Sequence, residues 1–244
     1  MAPARYEERA ARGELAAWSA CVWVRRGAGT GTAGVPIVPD GCVDLVWRRG
    51  RLEIAGPDSS HRRVPVEAGE LIAGVRLRPG ASRPLLGGTP ATAVLDSQVE
   101  LDRLWGSEAR SLAGLAAAQS DPWRIAELLA ASLSARLPRY GPDRAAVAAA
   151  EALDRPRPPS IARLAWEMGF SERHLRRRVR AAAGYGPKTL EQILRFRRAV
   201  GRLGTRVDWA RIAAEQGYAD QAHLSRQVRR WSGSAPRDLV AQND

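Results

Sequence analysis

Arg173, Arg176, Arg177 and Arg180 stand at i, i+3, i+4 and i+7 in the stretch GFSERHLRRRVR, Gly169 to Arg180. On a helix of about 100° per residue, that spacing gathers four guanidiniums on one stripe. Leu175, Val179 and Ala182 fall on the opposite side. A guanidinium presents a fork of donors that matches O6 and N7 of guanine in the major groove of DNA. Forty-eight residues later, GYADQAHLSRQVRR, Gly217 to Arg230, repeats the design. Measured from Leu224 as the first is from Leu175, the equivalent stripe is Ala222, Ser225, Arg226 and Arg229. Gln221, His223 and Arg230 flank it, and Leu224, Val228 and Trp231 lie opposite. Serine and alanine admit close approach, and alanine can touch a thymine methyl. Arg178 lies on the other flank of the first stripe, where phosphate or solvent is the expected neighbour. Any one of these arginines is by itself a solvated surface charge. Four on one stripe, with a second copy downstream, argue for contacts to double-stranded DNA.

The charge distribution points the same way. The chain of 244 residues has a formal net charge of +12. Residues 157–244 hold eighteen basic and eight acidic side chains, whereas residues 1–156 hold twenty and eighteen. A codon bias explains why only Lys188 is lysine, but not why the excess sits at one end. Such asymmetry predicts a polyanionic partner. No apolar run approaches the ~20 residues of a membrane span. The start, MAPARYEERAARGE, lacks a secretory apolar core. The expectation is a soluble protein of the bacterial cytoplasm, associated with the nucleoid, with no membrane partner.

These stripes need elements to carry them. Ser160 can cap a helix with Ile161, Leu164, Ala165 and Met168 on its apolar face, and Gly169 ends it. Ser171 caps the next helix, which Gly184-Tyr-Gly-Pro187 stops. A longer helix follows from about Lys188 to Leu203. Asp208 then caps a helix with Trp209, Ile212 and Ala213, and Gly217 turns into the second stripe. Two helix-turn-helix units joined by one helix account for the C-terminal third. Arg155-Pro-Arg-Pro-Pro159 precedes them and reads as a linker.

The first eighty residues punctuate like β-structure: WSACVWVRR, VPIVPD, CVDLVWRRG, RLEIAG and GELIAGVRLRPG are short apolar or alternating runs between Gly, Pro and Asp. They predict antiparallel strands closing on themselves as a small barrel or sandwich. From about residue 81 the texture is Ala/Leu-rich and helical, with Asp121 before Pro122 as a helix start. The predicted fold class is α+β: a β-rich, barrel-like N-terminal domain with appended helices over residues 1–156, then an all-α domain over 157–244.

No catalytic constellation stands out in the N-terminal part, and no cofactor or metal is expected. His61 is its only histidine, so the histidine and carboxylate cluster of a cupin-type metal site is missing. Cys21, Cys42 and His61 would supply three zinc ligands at most; two buried thiols and a surface histidine are preferred. On the strand Cys42 to Trp47, Cys42, Asp44 and Val46 share one face and Val43, Leu45 and Trp47 the other. Arg76 and Arg78 alternate with Val75 and Leu77 in the same way. Asp44 and Arg76, with Trp23 and Trp47 as an apolar wall, form a candidate ligand pocket. The same residues also fit a structural ion pair beside core tryptophans.

The region from Ser160 to Leu239 resembles the tandem helix-turn-helix domain of the AraC/XylS family of transcriptional regulators. The motif GYADQAHLSRQVRRWSGSAP carries the resemblance, with Arg195 and Ala199 in the joining helix after Pro187. Val179 and Val228 stand where the family usually has Phe, and Trp231 is larger than usual. The resemblance implies two recognition helices entering successive major-groove segments of a promoter or operator, and no catalysis. VPDGCVDLVW, GVRLRPGAS and LLG are similar to the N-terminal domain of a subgroup of AraC-like regulators. In AraC relatives such domains sense a small-molecule effector or form a homodimer, and RNA polymerase is the further partner of an activator. Two rival readings remain: an architectural DNA-binding protein of low specificity, and a DNA-repair-type regulator reacting through Cys42.

Overall fold

A computed structural model describes residues 5–28, 34–202 and 208–236. The strands are β1 (Arg5–Arg9), β2 (Ser19–Arg26), β3 (Val35–Ile37), β4 (Val43–Arg48), β5 (Arg51–Ala55), β6 (Arg62–Val64), β7 (Leu71–Leu77) and β8 (Gln98–Glu100). The helices are α1 (Arg83–Leu86), α2 (Asp102–Trp105), α3 (Ser107–Ala117), α4 (Pro122–Arg136), α5 (Arg144–Leu153), α6 (Ile161–Glu167), α7 (Glu172–Ala183), α8 (Pro187–Val200), α9 (Trp209–Glu215) and α10 (Gln221–Ser232). The class is α+β.

Six strands form an antiparallel sheet in the order β1-β2-β7-β4-β5-β8, and β3 pairs with β6 as a separate ribbon. The sheet is not closed, so barrel-like describes it only loosely. Strand character also does not stop near residue 80, because β8 returns to pair with β5.

Alternation gives the sheet two different faces. Val22, Val24, Val43, Leu45, Ile54, Ala73, Val75 and Leu77 point to one side and bury against α4 residues such as Ile125, Leu129 and Leu133. Trp47 packs against that same core. Cys21, Trp23, Val46 and Ile72 point to the other side and pack beneath Val35 and Val66. Gly74 pairs with both Trp23 and Val46 in the register. A Cβ built there would lie 2.4 Å from the Trp23 ring, so the indole lies across the sheet only because position 74 has no side chain. Gly74→Ala should therefore cost about 1–3 kcal/mol through overpacking, read as a lower denaturant midpoint. Unchanged stability would mean that Trp23 does not lie across Gly74 in solution.

The helical third forms as its caps dictate. Side chains of Ser160, Ser171 and Asp208 accept backbone N–H bonds at the starts of α6, α7 and α9, and Asp220 does so for α10. Gly169 and Gly217, at φ +71° and +74°, make the turn within each unit. Their common core holds Leu164, Leu175, Val179, Leu190, Phe196, Ile212, Leu224, Val228 and Trp231. Ala183 is the buried alanine at the end of α7, whereas Ala182 is only half-buried. The joining helix α8 ends at Val200; the expected end, Leu203, and Leu239 lie outside the described residues.

α5 lies before the Pro-rich linker, yet Ala149, Ala150, Ala152 and Leu153 belong to the same core as α7 and α8. Asp143 caps α5 and also accepts a 2.7 Å bond from Arg178. Arg178 stacks on Phe170 as well. It is thus held by partners within the protein, on the flank where phosphate or solvent is the expected neighbour.

Candidate nucleic-acid interface and ligand pocket

Arg173, Arg176, Arg177 and Arg180 are all exposed along α7, opposite the fully buried Leu175 and Val179. Arg176 pairs at 2.9 Å with Glu172, one turn earlier. Such exposed pairs are worth little and yield readily to a stronger partner. On α10, Gln221, Ala222, Arg226 and Arg229 are exposed, and Leu224 and Val228 are fully buried. Ser225 and His223 are half-buried. The Ser225 hydroxyl donates to the Gln221 carbonyl at 2.9 Å. His223 Nδ1 accepts the Ala219 N–H at 3.3 Å, and its ring meets Tyr218 edge-on. That histidine therefore shapes the turn as well as flanking the stripe.

α8 holds the two units together. Arg195 donates to the Gly217 carbonyl at 3.1 Å and to Glu191, and Arg198 donates to Gln216 at 3.1 Å. Arg197 and Arg198 converge on Asp154, at 2.5 and 2.6 Å. The turn of the second unit is thereby tied to the end of α5.

The second candidate site lies on the far face of the sheet, under the β3–β6 ribbon. It is a cavity of about 390 Å³. Asp44 and Arg76 are register partners on β4 and β7, and Arg76 Nε lies 3.1 Å from Asp44 Oδ1. Trp23 Nε1 donates to the same oxygen at 2.9 Å. The structure thus brings together Trp23, Asp44 and Arg76. Trp47 is not with them: odd and even positions of β4 face opposite ways, and Trp47 lies on the α4 side. Burial pushes the Asp44 carboxyl above its ordinary value, although Arg76 pulls the other way; Asp44 in turn raises Arg76.

Sequence reasoning missed Tyr6, Glu8 and Arg197, which also line the cavity, and saw in Asp40 only a turn residue. Asp40 lies 3.5 Å from Arg76, and its Oδ1 accepts the Cys42 N–H at 2.8 Å. Its carbonyl accepts a 3.3 Å bond from Arg197 of α8. Gly41 follows at φ +82°, where a Cβ would be 3.1 Å from Leu190 of the same helix. A second bridge runs from Tyr185, whose hydroxyl donates to the Asp58 carbonyl at 3.1 Å. The Asp58 side chain accepts from Arg62 at the cavity wall. The pocket and the helical third are therefore in direct contact.

Cys21 and Cys42 are free and buried, and His61 is exposed. Burial pushes the Cys21 thiol up to about 12 and Cys42 well above the thiol range. Burial thus favours the neutral thiol in both, whereas the nucleophile of a reactive cysteine is the thiolate. No metal-binding group of three or more His, Cys, Asp or Glu occurs among the described residues. Among them, too, no helix is long and apolar enough to cross a membrane.

Residues 164–242 match the family model of a helix-turn-helix domain, and residues 7–100 match a domain of unknown function (DUF6597). No curated protein matches the chain. ToxT from Vibrio cholerae is similar in structure, with 13% identity, a TM-score of 0.46 and coverage of 90% of this chain and 96% of that one. ToxT bound to (E)-4-(8-methylnaphthalen-1-yl)but-3-enoic acid gives 11%, 0.46, 99% and 99%. The transcriptional regulator CdpR from Pseudomonas aeruginosa gives 20%, 0.35, 72% and 47%. Residues 164–242 are thus a helix-turn-helix domain, a class of domain that binds DNA.

Proposed function

We propose that this protein is an AraC-type transcriptional regulator that reads a specific promoter or operator with both units and responds to a small molecule held in its N-terminal pocket. Arg173, Arg176, Arg177 and Arg180 carry base readout in the first unit, and Ala222, Ser225, Arg226 and Arg229 in the second, with Gln221 and His223 beside them. The observation that carries the reading is the position of α8. One part of that helix, Leu190 and Arg197, meets Gly41 and Asp40 at the pocket. Another, Arg195 and Arg198, holds the turn of the second unit. A ligand that moves Asp40 acts on the element that sets the spacing of the two recognition helices. It shifts DNA affinity only by as much as it distinguishes the two arrangements.

The test is to select bound fragments from genomic DNA and compare their affinity with that for random DNA at fixed salt. A ratio of about 10³ or more is expected of a specific regulator. A ratio near one would favour the architectural reading, in which the arginines contact only phosphate.

A further inference from the structure

The polar end of the pocket is short of positive charge. Arg76 is surrounded by Asp44 at 3.1 Å, Asp40 at 3.5 Å and Glu8 at 3.6 Å. The other arginines of the wall are engaged elsewhere. Arg48 binds Glu70 at 2.8 Å, Arg62 binds Asp58 at 2.8 Å, and Arg197 binds Asp154 at 2.5 Å. Arg25 stacks on the Tyr6 ring, 4.8 Å from its centroid. Even with Arg25 counted, three carboxylates face two guanidiniums.

The acceptors are also unevenly used. Asp44 Oδ1 already takes Trp23 and Arg76. Asp40 and Glu8 meet Arg76 only at 3.5 and 3.6 Å, beyond good hydrogen-bond length. Asp40 uses Oδ1 on the Cys42 N–H, and Glu8 uses Oε1 on the Tyr6 hydroxyl. Asp40 Oδ2 faces only the distant Arg76 and retains capacity for a donor, while Glu8 is also met by the Cys21 thiol. Beside them, the Tyr6 and Trp23 rings stand 5.9 Å apart at 43°, an aromatic pair of the kind that attracts cations, and Arg25 already lies over Tyr6. Val35, Ile37, Val46, Val64 and Ile72 supply an apolar stretch of the wall. A volume of about 390 Å³ suits a small molecule.

We propose that the pocket binds an organic cation, a primary or quaternary amine on an apolar body. Its positive end lies between Glu8 and Asp40 against Tyr6 and Trp23, and its hydrocarbon lies under the β3–β6 ribbon. The proposal rests on the reading of this cavity as the sensor site. An anion is disfavoured, because it would meet three carboxylates and a guanidinium already engaged by them.

A matched series tests it on the full chain by calorimetry: 3-phenylpropylamine, its trimethylammonium analogue, 4-phenylbutyrate and 3-phenylpropanol, with naphthyl homologues of each. The amine or ammonium member should bind about tenfold or more tighter than the carboxylate and the alcohol. Glu8→Gln and Asp40→Asn keep the acceptors for Tyr6 and Cys42 and remove one charge each. Each should weaken the cation about tenfold and leave the alcohol unchanged. Tighter or equal binding of the carboxylate would overturn the ligand class but leave the sensor reading in force. So would alcohol binding as tight as the amine, with both variants indifferent. Failure of every member to bind, with DNA binding intact in the same preparation, would overturn the ligand class and the sensor reading together.

Discussion

A fragment beginning at residue 157 should fail to fold, and one beginning at residue 142 should unfold cooperatively and bind the selected DNA. The reason is α5. It places Ala149, Ala150, Ala152 and Leu153 in the core shared by α7 and α8, with Ala149 and Leu153 completely shielded from solvent. Losing Leu153 alone is worth about 2–5 kcal/mol by the usual cost of a deleted buried leucine. The whole domain has only about 5–15 kcal/mol to lose. The shorter fragment also loses Asp143, the partner of Arg178, and Asp154, the shared partner of Arg197 and Arg198. Three arginines would then lose their carboxylate partners, Arg178 at the start of α5 and Arg197 and Arg198 at its end. The measurement is far-ultraviolet dichroism through a thermal ramp for both fragments. A cooperative transition at the same midpoint for both would show that α5 is an ornament of the DNA-binding core and that the unit begins after the linker.

That expected result bears on what the sequence could tell. The prolines at 156, 158 and 159 do end a helix, but a helix end is not a domain end. α5 reads as an Ala-rich amphipathic helix, but its apolar face does not say which neighbour it packs against; only the fold sets it against α7 and α8. The caps Asp121, Ser160, Ser171 and Asp208 were legible because capping is local chemistry: a short acceptor side chain reaches N–H groups two or three residues ahead. The pairing of Asp44 with Arg76 was half legible. Alternation put each on the polar face of its strand, but adjacency depends on the strand order, which no spacing reveals. β1 was illegible because five residues with four charges do not read as a strand, though Tyr6 and Glu8 share a face there. The contact of Arg197 with the Asp40 carbonyl spans 157 positions and joins a helix to a turn. Neither residue advertises it; only the tertiary fold brings them together.

Replacing both Arg177 and Arg226 by alanine should remove about 2–6 kcal/mol of specific DNA affinity, with about 1–3 from each if each forks onto a base. The two occupy matched positions, two residues beyond the fully buried Leu175 and Leu224, and both are exposed. They sit on different units without a shared partner, so their effects should add. Binding to random DNA should fall much less; an equal fall in both would mean phosphate contacts. The single variants also test geometry. α8 is 14 residues long, about 21 Å at 1.5 Å per residue. Flanking helices add width, which is compatible with recognition faces one DNA turn, about 34 Å, apart. One chain should then protect an asymmetric site with two major-groove segments about ten base pairs apart. The segment that loses discrimination in Arg177→Ala should favour G, since Arg173 and Arg176 stand beside it. The segment that responds to Arg226→Ala should be more mixed, since Ala222 has no donor and the Ser225 hydroxyl is turned back to the Gln221 carbonyl. Methylation interference on the selected site reads both at once. Contacts in a single segment per chain would mean that one unit only supports the other, and α10, with two arginines on its stripe against four on α7, would be the one without bases to read.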